Sequence, residues 1–288
     1  MENAPGPFFV DDTCIDCDTC RQIAPATFGR LDARGLSYVA HQPRSPADRR
    51  LASMALVACP TASIGSSDKG AIPEAARAFP IAADGDVSYC GYASEASYGA
   101  SSYFIRRDAG NVLVDSPRAA RPLLDNIEAA GGVALMFLSH RDDVADHDVI
   151  ARRFGCRRIL HAADVGRETR AVEMQWDATE PIDLAPDLVL IPVPGHTRGS
   201  AALLYAQRYL FTGDHLWGSE DDPERLEASR SVCWYSWTEQ TRSIARLLDF
   251  EFEWVLPGHG RRYHAESPAA MRRELERLLA VMKRGGVC

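Results

Sequence analysis

The sequence predicts a two-domain α+β protein: a small cysteine-bearing N-terminal domain, then a larger layered domain of sheets and helices. Three observations predict it. Four of the eight cysteines (Cys14, Cys17, Cys20 and Cys59) fall in the first quarter of the 288-residue chain. After Ile64 the composition turns to "GSSDKGAIPEAARAFP", rich in small and polar residues with two prolines, which marks a linker. From about residue 81 short β runs alternate with helical segments, and strands that arrive in meanders suit two packed sheets with helices outside. The expected boundaries are 1–66, a linker over 67–80, and 81–288.

The composition supports soluble domains with a substantial core: 46% hydrophobic and 25% charged residues. The net charge is −8 and no block of like charge stands out, so neither nucleic acid nor an acidic membrane surface is an expected partner. The start, "MENAPGPFFV", shows no basic segment followed by an apolar stretch. The longest apolar runs, such as Val133 to Leu138, are far too short to span a bilayer. A cytoplasmic location is expected. In such a chain cysteines point to metal before disulfides. Cys90, Cys156, Cys233 and Cys288 are scattered and read as small buried hydrophobes or a loose terminal thiol.

The segment "CIDCDTCRQIAP" spaces Cys14, Cys17 and Cys20 by two residues each, and then has Ala24 before Pro25. In the two-cluster pattern C-x2-C-x2-C-x3-C-P the fourth cysteine ligates the other cluster. Ala24 therefore removes a ligand from a second cluster and leaves the first untouched. The missing ligand of the first is Cys59, followed by Pro60 in "ALVACPTASI", after "SPADRRLASMAL", whose apolar spacing is helical. A two-stranded turn through "GLSYVAHQP" brings it back. Residues 7–66 resemble single-cluster bacterial ferredoxins, which implies one [4Fe-4S] cluster on Cys14, Cys17, Cys20 and Cys59. The alternative is a four-thiolate zinc site, whose usual signature is two separate C-x2-C pairs.

In the larger domain, "SSYFIRRDAGNVLVDSP" reads as a hairpin of Tyr103–Arg106 and Val112–Asp115. A helix follows over 118–130, stopped by Gly131-Gly132. "VALMFLSH" is a buried strand whose end opens to a site. A helix from about Asp146 to Gly155 and a strand "RRILHA" come next. "DLVLIPVPG", "SAALLYAQRYLFTGD" (a hairpin around Gln207) and "FEWVLPGHG" are further strand units. The last helix has Ser267 as N-cap, Pro268 at its first position and Gly285 near its end.

Polar residues gather where these strands end: "SHRDDVADH" (His140, Asp142, Asp143, Asp146, His147), "PGHTRGS" (His196), "FTGDH" (Asp214) and "LPGHG" (His259). Their order and flanks resemble the metallo-β-lactamase superfamily, most closely its glyoxalase II-like members, over residues 81–288. The resemblance implies an αββα sandwich with one or two transition-metal ions, iron or zinc. It assigns His140, Asp146 and His147 to the H-x-H-x-D-H motif, and His196, Asp214 and His259 to the later metal ligands. Asp146, His147 and Asp214 are taken as catalytic. The chain departs from the motif: two extra residues precede Asp146-His147, and Asp142 stands where the second histidine belongs, with Asp143 as its rival. His161 reads as a structural residue. Arg198, Arg261 and Arg262 suit either surface ion pairs or the grip of a carboxylate or phosphate. "CWYSW" (233–237) suits a pocket wall or core.

Imidazoles and carboxylates bind zinc, iron or manganese, and a coordinated water then falls toward a pKa of about 7. Two functions follow. The first is an iron-dependent oxidoreductase fed electrons by the cluster, with an external electron donor; the flavodiiron branch carries a carboxylate at the offset of Asp142. The alternative is a hydrolase of thioesters, lactones or phosphoesters using a metal-activated hydroxide, with the cluster structural or regulatory; "PGHTRGS" looks like the thioesterase branch. Either acts on a small-molecule substrate.

Overall fold

A computed structural model describes residues 3–31 and 33–284. The chain forms two compact units. The first runs to Met136 and takes in Ala145–Cys156; the second comprises Phe137–Val144 and the chain from Arg157 onward. The cysteine-bearing segment thus shares a unit with the first strands of the larger predicted domain.

In the first unit Phe8–Val10 pairs antiparallel with Ile64–Ser66, and Phe28–Leu31 with Leu36–Val39. Between them lies the helix Pro46–Ala58. Ser45 caps it by accepting from the Asp48 amide at 3.0 Å, while the Asp48 carboxylate accepts from the Ser45 amide at 3.1 Å. This reciprocal box and the proline at the first position fix where the helix starts. Cys59 is its C-cap. The predicted linker is not loose: Ile72–Ala76 is helical, and Ala75 and Phe79 are buried. Pro73 reads as a breaker in sequence but sits in the first turn, where its missing N–H costs nothing.

Four antiparallel strands follow in a meander: Ile81–Asp84, Val87–Tyr89, Tyr103–Ile105 and Val112–Val114. The next helix starts at Arg121, not 118. Ala120 is extended, Pro122 lies in the first turn, and the Ala120 amide donates back to the Arg118 carbonyl at 2.7 Å, so 118–120 stay outside the helix. The helix buries Leu123, Leu124 and Ile127 on one face. His147–Phe154 is helical and ends on Gly155 in the left-handed conformation.

The second unit is built on a sheet of six strands ordered Ile182–Ala185, Leu188–Pro192, Ala201–Tyr205, Tyr209–Gly213, Trp254–Pro257 and Tyr263–His264. The fourth and fifth strands, Tyr209–Gly213 and Trp254–Pro257, run parallel, the other pairings antiparallel. The hairpin at Gln207 is present, with positive φ at both Ala206 and Gln207, as a two-residue turn between twisted strands requires. Helices Trp237–Leu247 and Pro268–Lys283 bury Ile244, Leu247, Leu275, Leu278 and Met282 against Ile191, Leu204, Leu210 and Val255 of the sheet. Ser267 caps the last helix as expected; Gly285 and Cys288 lie outside the described residues. In the same unit Arg157–His161 pairs in parallel with Met174–Trp176. No helix among the described residues is long and apolar enough to cross a membrane.

Candidate metal centre and cluster cradle

The strands of the second unit deliver six of the predicted residues to one place. The segment after Phe137 is held on both sides: the Leu138 amide donates to the Ile159 carbonyl, and the Ser139 carbonyl accepts from the Ala201 amide. His140 follows and is buried. Asp214 and His259 leave neighbouring parallel strands in register, Gly213 opposite Pro257. The parallel pairing therefore places them side by side, with His259 Nδ1 at 2.8 and 2.9 Å from the two Asp214 oxygens. His196 sits in the loop after Leu188–Pro192.

His140 and His196 meet edge to face with ring centroids 4.7 Å apart. Each has its Nδ1 occupied: that of His140 by Ser139 Oγ at 2.9 Å, that of His196 by the Val232 carbonyl. A carbonyl accepts only from an N–H, so Nδ1 of His196 carries a proton and Nε2 is the atom turned toward the carboxylates. Both Nε2 atoms lie 3.8 Å from Asp214 Oδ2. Asp142 Oδ2 is 3.3 Å from His196 Nε2 and 3.9 Å from His140 Nε2. Among the described residues the buried His140 Nε2 has no hydrogen-bond partner, and an orphaned imidazole nitrogen facing carboxylates fits a cation between them. Two ligand sets result, His140–Asp142–His196 and His140–Asp143–Asp214, each with its atoms within 4.8 Å of one another.

Electrostatics point the same way. Burial drives the His140 pKa down to about 4, against the pull of Asp214, so the ring is neutral and able to ligate. Burial also opposes ionisation of Asp214, but His259, His140 and His196 outweigh it and hold the carboxyl well below the usual range. The contact between Asp142 and His196 Nε2 is the exception: it lowers Asp142 and, against burial, raises His196, because without an ion between them the two pair as a hydrogen bond that needs a proton on Nε2. Gly258 makes the crowding possible: a Cβ there would meet Asp143 Oδ2 at 2.6 Å and Asp214 Oδ1 at 2.9 Å.

Asp142 and Asp143 are thus both brought in, Asp142 exposed and Asp143 buried. Asp146 and His147 belong to the first unit. There Asp146 caps the helix His147–Phe154 through its backbone, and its Oδ2 accepts from the Ala119 amide at 2.8 Å.

One residue escaped the sequence. Asp164 is buried and accepts from the Arg141 amide (3.1 Å), Thr197 Oγ1 (2.5 Å) and the Gly199 amide (2.8 Å). It bolts the loop carrying His140 to the loop carrying His196. A buried acid after the strand "RRILHA" is the only signal, and nothing in sequence pairs it with those loops. Beside the same loop an open cleft is lined by His161, Arg198, Ser200, Tyr235, Arg242 and Arg246. Arg198 makes no hydrogen bond or ion pair among the described residues, whereas Arg246 donates to the Thr179 carbonyl and Arg242 to Glu239. Trp234 and Tyr235 of "CWYSW" are exposed, and both their amides donate to the His196 carbonyl. Arg261 pairs with Glu220.

In the first unit Cys14, Cys17, Cys20 and Cys59 line one small cavity with Val10, Thr19, Ser37, Pro60 and Ile64. Burial raises the Cys17 thiol and pushes Cys20 up to about 12. Four crowded thiols become thiolates only with cationic metal among them, and the donor set suits an iron–sulfur cluster. The Ser37 amide faces Cys14 Sγ at 3.4 Å, and Thr61 Oγ1 lies 3.8 Å from Cys59 Sγ. Gly99, at φ +87°, closes the cradle; a Cβ there would meet Cys17 Cβ at 2.4 Å and Sγ at 2.9 Å.

Residues 10–66 match the family described as the 4Fe-4S single cluster domain of ferredoxin I. The hydroxyacylglutathione hydrolase of Acidiphilium cryptum is 31% identical over 169 residues, which cover 51% of this chain and 69% of that one. The chain belongs to the metallo-β-lactamase superfamily, with these hydrolases. A second hydroxyacylglutathione hydrolase, from Anaeromyxobacter dehalogenans, is 34% identical over 147 residues, 46% of this chain and 55% of that one. The solved metallo-β-lactamase from Pontibacter korlensis shares the fold, with a TM-score of 0.51 at 15% identity over 68% of this chain and 97% of that one. The superfamily member therefore carries a 4Fe-4S ferredoxin domain at its N-terminus, as the two resemblances implied.

Proposed function

We propose that the chain is a metal-dependent hydrolase of a thioester whose leaving group carries negative charge, with one [4Fe-4S] cluster in a structural or regulatory role. The observation that carries this reading is the pair of three-ligand sets sharing His140, in a chain whose relatives are named hydrolases. When bound, one or two ions, iron or zinc, supply Lewis acidity and acidify the attacking water. The protein's part is orientation. Ser139 and the Val232 carbonyl hold the two imidazoles by Nδ1 and so aim their Nε2 atoms, and Asp164 ties together the loops that bear them. A thiolate is a stable leaving group near neutral pH, so no general acid is required. Arg198, with no hydrogen bond or ion pair among the described residues, stands in the cleft beside His196 to bind an anionic group on that thiol.

The catalytic role of Asp146, His147 and Asp214 rests on the motif resemblance alone. The test is release of free thiol from a hydroxyacylglutathione by the metal-loaded chain. Release that His196→Ala abolishes supports the reading; no release from wild type defeats it. A second reading, an iron-dependent oxidoreductase fed by the cluster and an external electron donor, is favoured by the carboxylates Asp142 and Asp143. Carboxylate-rich sites suit harder ions than imidazole-rich ones. Substrate-dependent dioxygen uptake that stops in Cys20→Ser would mark this second reading.

A further inference from the structure

The cysteine loop of the first unit closes on a buried arginine, Arg21. Asp16 and Asp18, on either side of Cys17, take positive φ angles of 57° and 64°. Asp18 stands at the N-cap of the helix Thr19–Ile23, where a carboxylate ordinarily accepts from a helix amide, yet it makes no such bond. Both carboxylates turn instead to Arg21: Nη1 donates to Asp16 Oδ1 at 2.7 Å, and Nε lies 2.6 Å from Asp18 Oδ1. Arg30 Nε donates to the other Asp16 oxygen at 2.9 Å. Two acids and two guanidiniums cancel, so little net charge remains beside the sulfurs. Burying such a group costs solvation, and stability alone is a poor reason for it. What the group leaves directed is a hydroxyl. Arg21 Nη1 also donates to Ser37 Oγ at 2.6 Å. A guanidinium only donates, so Oγ accepts there and keeps its own hydrogen for another partner. That partner is Cys20, whose thiol Ser37 pulls down, against burial, through a side-chain hydrogen bond. Ser37 lies opposite Arg30 in the pairing of Phe28–Leu31 with Leu36–Val39, and its amide faces Cys14 Sγ at 3.4 Å. One buried serine thus serves both Cys14 and Cys20.

We propose that Arg21 is a positioning residue for the cluster: it fixes the Ser37 hydroxyl with its proton toward Cys20 Sγ, and the pair thereby raises the cluster's reduction potential. The inference rests on the single [4Fe-4S] cluster proposed for the four cysteines, and not on hydrolysis. Hydrogen bonds to the sulfurs are one of the factors that set such a potential. A cluster that takes up one electron becomes more negative, so a donor already aimed at one of its sulfurs binds more strongly. A hydroxyl free to rotate has first to be ordered, and favours the reduced state less. Asp16 and Asp18 hold Arg21, Arg21 holds the hydroxyl, and the hydroxyl meets the sulfur.

The test uses the full-length chain prepared anaerobically and titrated with dithionite, which supplies the electron. The reduced cluster is read by electron paramagnetic resonance. Ser37→Ala removes the hydroxyl and keeps the amide that faces Cys14. At a fixed potential its reduced-to-oxidised ratio should fall about tenfold, which is a midpoint about 59 mV lower for one electron. Ser37→Thr keeps a hydroxyl and should recover most of the loss. Arg21→Lys conserves the charge but not the fork that reaches Asp16, Asp18 and Ser37. It should lower the midpoint alone and add little in the Ser37→Ala background. In water against deuterium oxide, reduced wild type should show one sharply coupled exchangeable proton that Ser37→Ala lacks. Cluster-loaded Ser37→Ala with the wild-type midpoint overturns the proposal. So does Arg21→Lys with the wild-type midpoint, since charge without orientation is then enough. Should Arg21→Lys shed its cluster, the proton decides: no coupling lost in Ser37→Ala, or one spread over many orientations in wild type, overturns it. Wild type without a dithionite-reducible cluster removes the cluster assignment itself, and the proposal with it.

Discussion

Replacing Asp164 by asparagine changes one oxygen for one NH2 at the bolt between the two histidine loops. In wild type Oδ2 accepts from the Arg141 amide and Thr197 Oγ1, and Oδ1 accepts from the Gly199 amide. Asparagine offers a single acceptor, so its amide must face at least one of these donors. The hydroxyl of Thr197 can rotate to accept, but a backbone N–H cannot. The least costly orientation therefore turns the NH2 toward Gly199. One charge-assisted hydrogen bond is lost, worth about 1.5–3 kcal/mol, and a buried N–H goes unpaired. The expected cost is about 2–3 kcal/mol in denaturant unfolding of the second unit, followed by tryptophan fluorescence. Because Asp164 sets the spacing between His140 and His196, metal affinity should fall about 10- to 100-fold as well. An Asp164→Asn protein within about 0.5 kcal/mol of wild type, with unchanged metal affinity, would refute the reasoning. It would mean that the two loops hold their own geometry.

Other outcomes follow from the same contacts. Gly99→Ala adds a Cβ 2.4 Å from Cys17 Cβ in a left-handed backbone, so iron and sulfide per chain should drop sharply relative to wild type. His196→Ala should empty the metal centre while the cluster absorbance persists; loss of both would show that the modules are not separable in this way. Arg198→Ala should raise KM for an anionic thioester about tenfold or more, and leave a neutral thioester unaffected. Glu173 is held down at about 2, led by its hydrogen bonds from Arg158. Its carboxylate contributes stability above its ordinary pKa of 4.5, and that contribution is lost as pH falls through about 2. Glu173→Gln should thus cost about 1 kcal/mol at pH 7, the pair being partly exposed, and progressively less on acidification.

Much of this was legible because it is local. Ser45-Pro46 and Ser267-Pro268 announce helix starts by their own chemistry, and Cys14, Cys17, Cys20 and Cys59-Pro60 announce a cradle by spacing. Apolar strands ending in His140, His196, Asp214 and His259 mark a site because strand ends are where side chains leave the core. What was not legible depends on tertiary partners. The pairing of Phe8–Val10 with Ile64–Ser66 joins three-residue strands more than fifty positions apart. Ile72–Ala76 looked like linker because its helix is held by packing of Ala75, not by propensity. Arg118 lay in a helix-compatible run until Pro122 and its bond to the Val57 carbonyl set it outside. Asp164 carried no pattern at all. Its role exists only once the loops of His140 and His196 are beside it.

The central claim is that His140, His196 and the carboxylates around them hold the metal that drives hydrolysis, apart from the four cysteines. Its most direct test is the thiol released from a hydroxyacylglutathione by anaerobically prepared chain, measured alongside metal per chain in wild type and His196→Ala. The account predicts four cluster irons plus one or two further ions in wild type, steady thiol release, and loss of the further ions and of release together in His196→Ala. Wild-type chain carrying its full metal and releasing no thiol, or His196→Ala releasing it at the wild-type rate, would contradict it.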